Sequence, residues 1–351
     1  MEKHGRFPMV TRALGVLVAM VTLGVPVLPL PAPVAYAATA AQKATAKKKT
    51  SSASAARARR ARAAAAARAR ELREAQTPRF RVDENGREVP DVRAAAAIIY
   101  NPETNEVLWE SNATDQRSIA SITKVMTALV ILESGADLSE THTVVRSDVS
   151  RASTTHLRSG YKVTGEGLLH LMLIGSDNAA ARAIARTSPY GADGFIDRMN
   201  AKAAELGLET THYADPSGLL ADNVSSAFDM ARLIAYAAAD DRIGRIMRTP
   251  SESVNVGRTS VTVRSTNQLV RNGDLDVVGG KTGFINRAGY CLATLLRIPE
   301  TGQKLAVVVL GARSNTGRFW EVRHLFNWMS ARSQAIFAGA QNGQQQQQDQ
   351  Q

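Results

Sequence analysis

Ser121 and Lys124 have the residue types and the spacing to do chemistry together. They open the stretch SIASITKVMTALVILESG, residues 118–135, in which Ile122, Val125, Met126 and Leu129 recur at helical spacing. Val130, Ile131 and Leu132 make the far side apolar too, so the pattern predicts a buried helix. A lysine in such a helix must be paired or must give up its proton. Without that proton, and one turn from a serine on the same face, it is a base within reach of a nucleophile. Action near neutral pH requires its pKa to fall by roughly three units from about 10.4, about 4 kcal/mol of differential interaction. Burial and a second nearby cation are the sources of such a shift. The other Ser-x-x-Lys, Ser159-Gly-Tyr-Lys162, contains a glycine and lies in LRSGYKVTG, which reads as a turn.

Two more short motifs carry side chains suited to catalysis. Ser176-Asp177-Asn178 interrupts the helical patterns LLHLMLIG and AAARAIAR. The same residues also make an ordinary turn between helices, because they favour turns and N-caps. Lys281-Thr282-Gly283 follows VVGG in a strand pattern. Lys-Thr-Gly is common on strand surfaces, yet a glycine inside a strand also lets a ligand or a second backbone approach closely. Cys291 is the only cysteine, so no internal disulfide forms, and its setting in GYCLATLL reads as a packed strand position. The sequence has no His-Glu-x-x-His, no Cys/His cluster and no phosphate-binding glycine loop, so neither a metal nor an organic cofactor is expected.

The elements that must hold these motifs follow from periodicity. Residues 94–110 read as two strands around a turn at Asn101 to Asn105. Residues 120–245 are mostly helical patterns. Strand patterns return in SVTVRSTN, DLDVVGGKTG, AGYCLATLLRI and KLAVVVLGA, the last two joined as a hairpin through Pro299 to Gly302. A final helix, RFWEVRHLFNWMSARSQAIF, closes the pattern. Strands at both ends with helices between predict an α/β domain in which one antiparallel sheet is covered by helices and carries an inserted helical subdomain. A cleft at that junction is the expected site.

The chain ends have a different composition. Residues 1–37 run from Lys3, Arg6 and Arg12 through an apolar stretch to Ala35-Tyr36-Ala37, the order of a secretory signal peptide cleaved after Ala37. Pro26, Pro29, Pro31 and Pro33 break the apolar run short of the roughly 20 residues a spanning helix needs. Residues 38–80 form a basic Ala/Arg/Lys-rich linker, disordered or helical, with ten Lys or Arg and no acid between 41 and 70. That block accounts for most of the net charge of +11. Behind an export signal its anionic partners are envelope polymers or lipid headgroups rather than nucleic acid, and a solvated tether is the other reading. Residues 339–351 read as a disordered, Gln-rich tail.

Together, Ser121-x-x-Lys124, Ser176-Asp177-Asn178 and Lys281-Thr282-Gly283, in that order, make the set shared by penicillin-binding proteins and class A β-lactamases. Over roughly residues 90–335 the chain resembles low-molecular-mass penicillin-binding proteins, the D-alanyl-D-alanine carboxypeptidase and endopeptidase family (serine peptidase family S11). The blocks LLHLMLIGSDNAAA, HYADPSGLLADNVSSAFDMARL and GGKTGFINRAGYCLAT carry the resemblance beyond the triplets.

The resemblance implies a catalytic domain of DD-peptidase/β-lactamase-like fold over residues 85–338, and acyl transfer on peptidoglycan stem peptides. Ser121 would attack a D-alanine carbonyl with Lys124 as base, and Ser176 would relay a proton to the departing amine. Asn178 would hold the substrate amide, while Lys281 and Thr282 would meet its carboxylate. Gly283 would admit the substrate backbone, and the N–H groups of Ser121 and Phe284 would form the oxyanion hole. β-Lactam antibiotics are implied as covalent inhibitors on Ser121. Ser-Asp-Asn in place of Ser-Gly-Asn, the absence of a second β-rich domain, and Cys291 after RAGY resemble the endopeptidase branch, which cuts D-Ala to diaminopimelate cross-bridges; a periplasmic or cell-envelope location goes with it. A class A-like β-lactamase is second, because its Glu-x-x-Leu-Asn pattern is absent. A non-catalytic cell-wall-binding scaffold of the same fold is the remaining alternative, against which the three intact motifs argue.

Overall fold

The computed structural model of this protein describes residues 40–348, so the signal-like segment 1–37 and the final residues 349–351 lie outside the described residues. The chain divides into two compact units, residues 1–63 and 64–351. The basic stretch forms α1 (Ala40–Gln76), whose Ala, Arg and Lys residues are strong helix formers. Arg57, Arg59, Arg60, Arg62, Arg68 and Arg70 on it are exposed.

Beyond α1, the small hairpin of β1 (Phe80–Val82) and β2 (Glu88–Pro90) precedes β3 (Ala96–Asn101) and β4 (Glu106–Ser111). The β3–β4 turn ends at Asn105, which takes a positive φ of 60°. Next come β5 (Arg117–Ser118), a 3-10 turn (Ala120–Thr123) and α2 (Lys124–Glu133). The helical region holds β6 (Thr141–Thr143), α3 (Arg146–Val149), β7 (Lys162–Thr164), α4 (Gly165–Ile174), α5 (Asn178–Thr187), α6 (Gly191–Glu205), β8 (Val224–Ser225), α7 (Ala227–Ala239) and α8 (Asp241–Met247). The chain returns through β9 (Ser251–Asn255), β10 (Ser260–Arg264), α9 (Gln268–Arg271), β11 (Val277–Ile285), β12 (Gly289–Arg297), β13 (Lys304–Ala312) and α10 (Asn315–Gln348).

The main sheet is antiparallel in the order β11-β12-β13-β3-β4, so the β13–β3 pairing joins the two ends of the domain. Alternation along its strands divides the core in two. Ile98, Ala306, Val308 and Leu310 pack with α2, α4 and α7 on one face. Ile99, Leu305, Val307 and Val309 pack with Phe319, Val322, Leu325 and Phe326 of α10 on the other. The helical region lies between β4 and β9 in sequence, as the pattern predicts, and β11, which carries Lys281, is an edge strand.

Three details differ from the sequence reading. The opening helix begins at Lys124, and Ser121 sits in the 3-10 turn before it. The short strand pairs β6–β7, separated by α3, and β9–β10 go beyond the strand pattern SVTVRSTN, because β6 and β7 have three residues each and β9 buries one side chain. The last helix continues to Gln348, through the glutamine run expected to lack structure. A helix already anchored by buried Phe319 and Phe326 adds each further Ala or Gln at little cost.

Candidate active site

The nucleophile candidate is held by a strained turn. Ala120, just before Ser121, has φ 49°, a conformation that costs a non-glycine residue energy and persists where the surroundings over-determine it. Ile119 N–H donates to Asn223 O at 3.0 Å and Thr123 Oγ1 donates to Ala120 O at 2.8 Å, fixing the turn on both sides.

Lys124 follows on α2 and is fully buried. Its Nζ lies 3.0 Å from Ser121 Oγ, and it donates to Asn178 Oδ1 at 2.6 Å and to Ser217 O at 2.5 Å. Burial pulls the ammonium down to about 7, against the opposing pull of Asp215 and Asp177, with Arg182 adding to the fall.

Ser176 and Asn178 come from the break between α4 and α5. Ser176 has φ 58°, and Asp177 caps α5 by accepting from Ala180 N–H at 3.0 Å. The motif is thus a helix-capping turn that also brings Ser176 and Asn178 into contact with Lys281 and Lys124. Asn178 Nδ2 donates to Ala152 O at 2.6 Å, and its N–H donates to Thr154 O at 2.9 Å. The buried Asp177 carboxylate also accepts from His156 N–H at 2.6 Å and stands 3.3 Å from its Nδ1. That hydrogen bond raises the His156 pKa.

Lys281 reaches across from β11. It is 1% exposed, and its Nζ donates to Ser176 Oγ at 2.8 Å and to Thr282 O at 2.9 Å. Burial, then the charges of Lys124 and Arg318, hold it well below an ordinary lysine. For Lys124 the shift expected of a second cation comes chiefly from burial, with Arg182 as the cation involved.

The rest of the Lys-Thr-Gly strand lies against the serine turn. A Cβ on Gly283 would stand 2.6 Å from Ile119 O and 3.1 Å from Ser121 N, so only glycine allows this approach. Thr282 Oγ1 donates to Thr266 Oγ1 at 2.6 Å. The Phe284 ring is 46% exposed and stacks on Tyr290 with centroids 4.3 Å apart. Ser159 and Lys162 lie instead on an exposed turn and strand outside this cluster. Cys291 is buried with its thiol pushed up to about 11 by burial, the environment of an inert packed cysteine.

Several participants carry little signal in the sequence. Ser217 contributes a main-chain carbonyl. Thr266 enters through the β10–α9 connection. Arg318 on α10 donates to Gly283 O at 3.0 Å and Cys291 O at 3.1 Å, holding the Lys-Thr-Gly strand from behind. Among the described residues no group of three or more His, Cys, Asp or Glu could hold a metal ion.

Comparison with known proteins shows the family to which this fold and sequence are similar. Residues 83–314 match the family described as D-alanyl-D-alanine carboxypeptidase. A D-alanyl-D-alanine endopeptidase of Pseudomonas aeruginosa is 33% identical over 243 residues, 68% of this chain and 78% of the relative. The Escherichia coli D-alanyl-D-alanine carboxypeptidase DacA is 32% identical over 257 residues, 68% of this chain and 61% of the relative. The crystal structure of a Streptomyces DD-transpeptidase superposes with TM-score 0.63 at 27% identity, covering 68% of this chain and 97% of that one.

Proposed function

The chain belongs to the D-alanyl-D-alanine carboxypeptidase family of serine peptidases, and from that premise we propose that it hydrolyses D-alanyl cross-bridges between peptidoglycan stem peptides through an acyl-enzyme on Ser121. The observation that carries the reading is Lys124, fully buried, with its Nζ 3.0 Å from Ser121 Oγ.

A neutral amine has two N–H bonds. On Lys124 they are taken by Asn178 Oδ1 and Ser217 O, which leaves the lone pair for the Ser121 hydroxyl proton. Ser121 Oγ then attacks the D-alanine carbonyl. The N–H groups of Ser121 and Phe284 stabilise the oxyanion, with Gly283 holding the strand close enough for both to serve. Ser176, hydrogen-bonded to Lys281, passes its proton to the departing amine as Lys124 returns to Ser176 the proton taken from Ser121, which leaves Lys124 neutral again. Water completes the cycle by attacking the ester while Lys124 accepts its proton and then gives it to the departing Ser121 oxygen.

A substrate carboxylate meets Lys281 and Thr282. In the free site two buried lysines disfavour each other's charge, so an arriving carboxylate supplies the counter-charge that protonates Lys281. A charged Lys281 then disfavours charge on Lys124 and keeps the base neutral. β-Lactams follow the same route to a covalent adduct on Ser121.

Preference for cross-bridges over terminal D-alanine is supported by Ser-Asp-Asn at residues 176–178 and by the similarity to a D-alanyl-D-alanine endopeptidase. The test is digestion of muropeptides containing pentapeptide monomers and cross-linked dimers, read by mass spectrometry, with Ser121→Ala as control. Conversion of dimers to monomers is expected. Loss of one D-alanine from monomers while dimers persist would make the protein a carboxypeptidase instead.

The reading places the protein outside the cytoplasm, in the periplasm or cell envelope. Exposed arginines of α1, in a stretch without acid, suit an anionic envelope polymer or membrane surface. Among the described residues no helix is long and apolar enough to cross a membrane. Removing residues 41–70 should abolish salt-sensitive sedimentation with sacculi, and unchanged sedimentation at low salt would leave the stretch a tether.

A further inference from the structure

The loop Asp215-Pro216-Ser217-Gly218 touches both halves of the reacting pair, and one carboxylate holds it. Asp215 Oδ1 accepts from Ser217 N–H at 2.5 Å, Ser217 Oγ at 2.7 Å and Gly218 N–H at 2.8 Å. Its Oδ2 accepts from Leu220 N–H at 2.6 Å and Asn223 Nδ2 at 3.0 Å. Asn223 Oδ1 in return accepts from Ala214 N–H at 3.1 Å.

With its N–H groups turned inward to that carboxylate, the loop turns two carbonyls outward to α2. Ser217 O accepts from Lys124 Nζ and Pro216 O accepts from Thr127 Oγ1 at 2.7 Å. On the other side Gly218, at φ +79°, leaves no room for a Cβ, which would lie 2.1 Å from Ala120 O. The turn carrying Ser121 and the amine of Lys124 are therefore seated on one loop.

We propose that Asp215 is a positioning residue for the acyl-transfer reaction, fixing the Ser217 carbonyl that orients the Lys124 amine and supplying a negative charge beside it. The proposal rests on the reading of Lys124 as the base. Burial works to raise the Asp215 pKa, but the Ser217 hydroxyl and the N–H groups of Leu220, Ser217 and Gly218 outweigh it, so the carboxyl stays ionised. The charged or titratable groups facing Lys124 are Asp215 from this loop, Asp177 at the N-cap of α5, Arg182 from α5 and Lys281 from β11; His156 stands behind Asp177.

The experiment is the pH profile of acylation by a fluorescent penicillin, measured on the full-length protein, Asp215→Asn and Thr127→Val. In Asp215→Asn an NH2 group faces the donors of Leu220 and Asn223, so the loop loosens, and the charge that favours protonated Lys124 is gone. The acid-side midpoint should move down by roughly half to one pH unit, and the plateau rate should fall about tenfold. Thr127→Val frees Pro216 O but keeps the charge, so its plateau should fall by several-fold with the midpoint unmoved. This second variant remains informative if Asp215→Asn does not fold. A profile for either variant that superimposes on the unsubstituted protein, with only a lower melting temperature, would show that the loop is scaffolding and overturn the proposal. Failure of the unsubstituted protein to acylate at all would refute the peptidase reading instead.

Discussion

Lys281 on the edge strand of the sheet donates to Ser176 in the helical region at 2.8 Å, joining the sheet to the helical part of the domain at the candidate site. Lys124 makes the matching contact within the helical region, 3.0 Å from Ser121. Each serine thus has its own buried lysine, and the proposed mechanism gives the two lysines different work: one exchanges the nucleophile's proton, the other meets incoming negative charge. The arrangement depends on the sheet being assembled from both chain ends, because β11 reaches the serine turn only when β13 is paired with β3.

The first prediction concerns pH. Lys124 is held to about 7, and with its neutral form as the proposed base, acylation should climb with pH through that value and fall about tenfold per unit below it. Stability should change in the adjoining window, above about 7. An unfolded chain keeps its lysines protonated to about 10.4, so between the folded and unfolded values it binds more protons than the native state, and the unfolding free energy rises with pH. Lys281, also depressed, acts with the same sign. Penicillin acylation rates and urea midpoints on both sides of neutrality check both statements; a flat acylation profile would remove Lys124 from the role of base.

Replacement of Lys281 separates its two contacts. Lys281→Ala removes the partner of Ser176 and the cation for the substrate carboxylate, so acylation should fall by roughly a hundred- to a thousandfold. A penicillin derivative esterified at its carboxylate should lose much less between the two proteins. Equal losses for acid and ester would mean that Lys281 serves Ser176 alone.

The side chains that gather around Ser121 were largely legible in the sequence, and the main-chain geometry that holds them was not. Ser121 and Lys124 stood out because an apolar helical pattern left one cation without a solvated face. The middle of the sheet was legible because β3, β12 and β13, buried on both faces, carry unbroken apolar runs such as LAVVVLG. The 3-10 turn at Ser121 depends on Ala120 at φ 49°, and alanine gives no hint of a positive φ. Ser217 acts through a carbonyl, which every residue has. Asp-Pro-Ser-Gly announces a turn but not what the turn touches. Arg318 reaches Gly283 only through packing of α10 on the far face of the sheet.

Gly283→Ala tests the close approach of β11 to the serine turn. The added Cβ would lie 2.6 Å from Ile119 O, a backbone atom, so strand and turn must separate by several tenths of an ångström. Such overpacking costs about 1–3 kcal/mol of stability. Displacing one oxyanion donor costs about a hundred- to a thousandfold in rate. Crystallography of the variant should show β11 moved away from Ser121, and retained acylation with an unmoved strand would contradict the assignment of the Phe284 N–H to the oxyanion hole.

Asn178→Asp tests the state of Lys124 with almost no change of shape. Asn178 Oδ1 accepts from Lys124 Nζ at 2.6 Å, so the substitution puts a carboxylate beside the amine in a buried site. An opposite charge at that range favours the ammonium and should raise the Lys124 pKa by roughly one to three units. The acylation midpoint should move up by the same amount, with rates near neutrality falling about ten- to a thousandfold and recovering in alkali. The direction is opposite to that expected for Asp215→Asn, where a negative charge is removed. Asn178 Nδ2 also donates to Ala152 O, a bond an aspartate cannot make, so some loss persists at every pH. Recovery at high pH is the part that belongs to Lys124, and a loss independent of pH would mean that Asn178 acts on the substrate and not on the base.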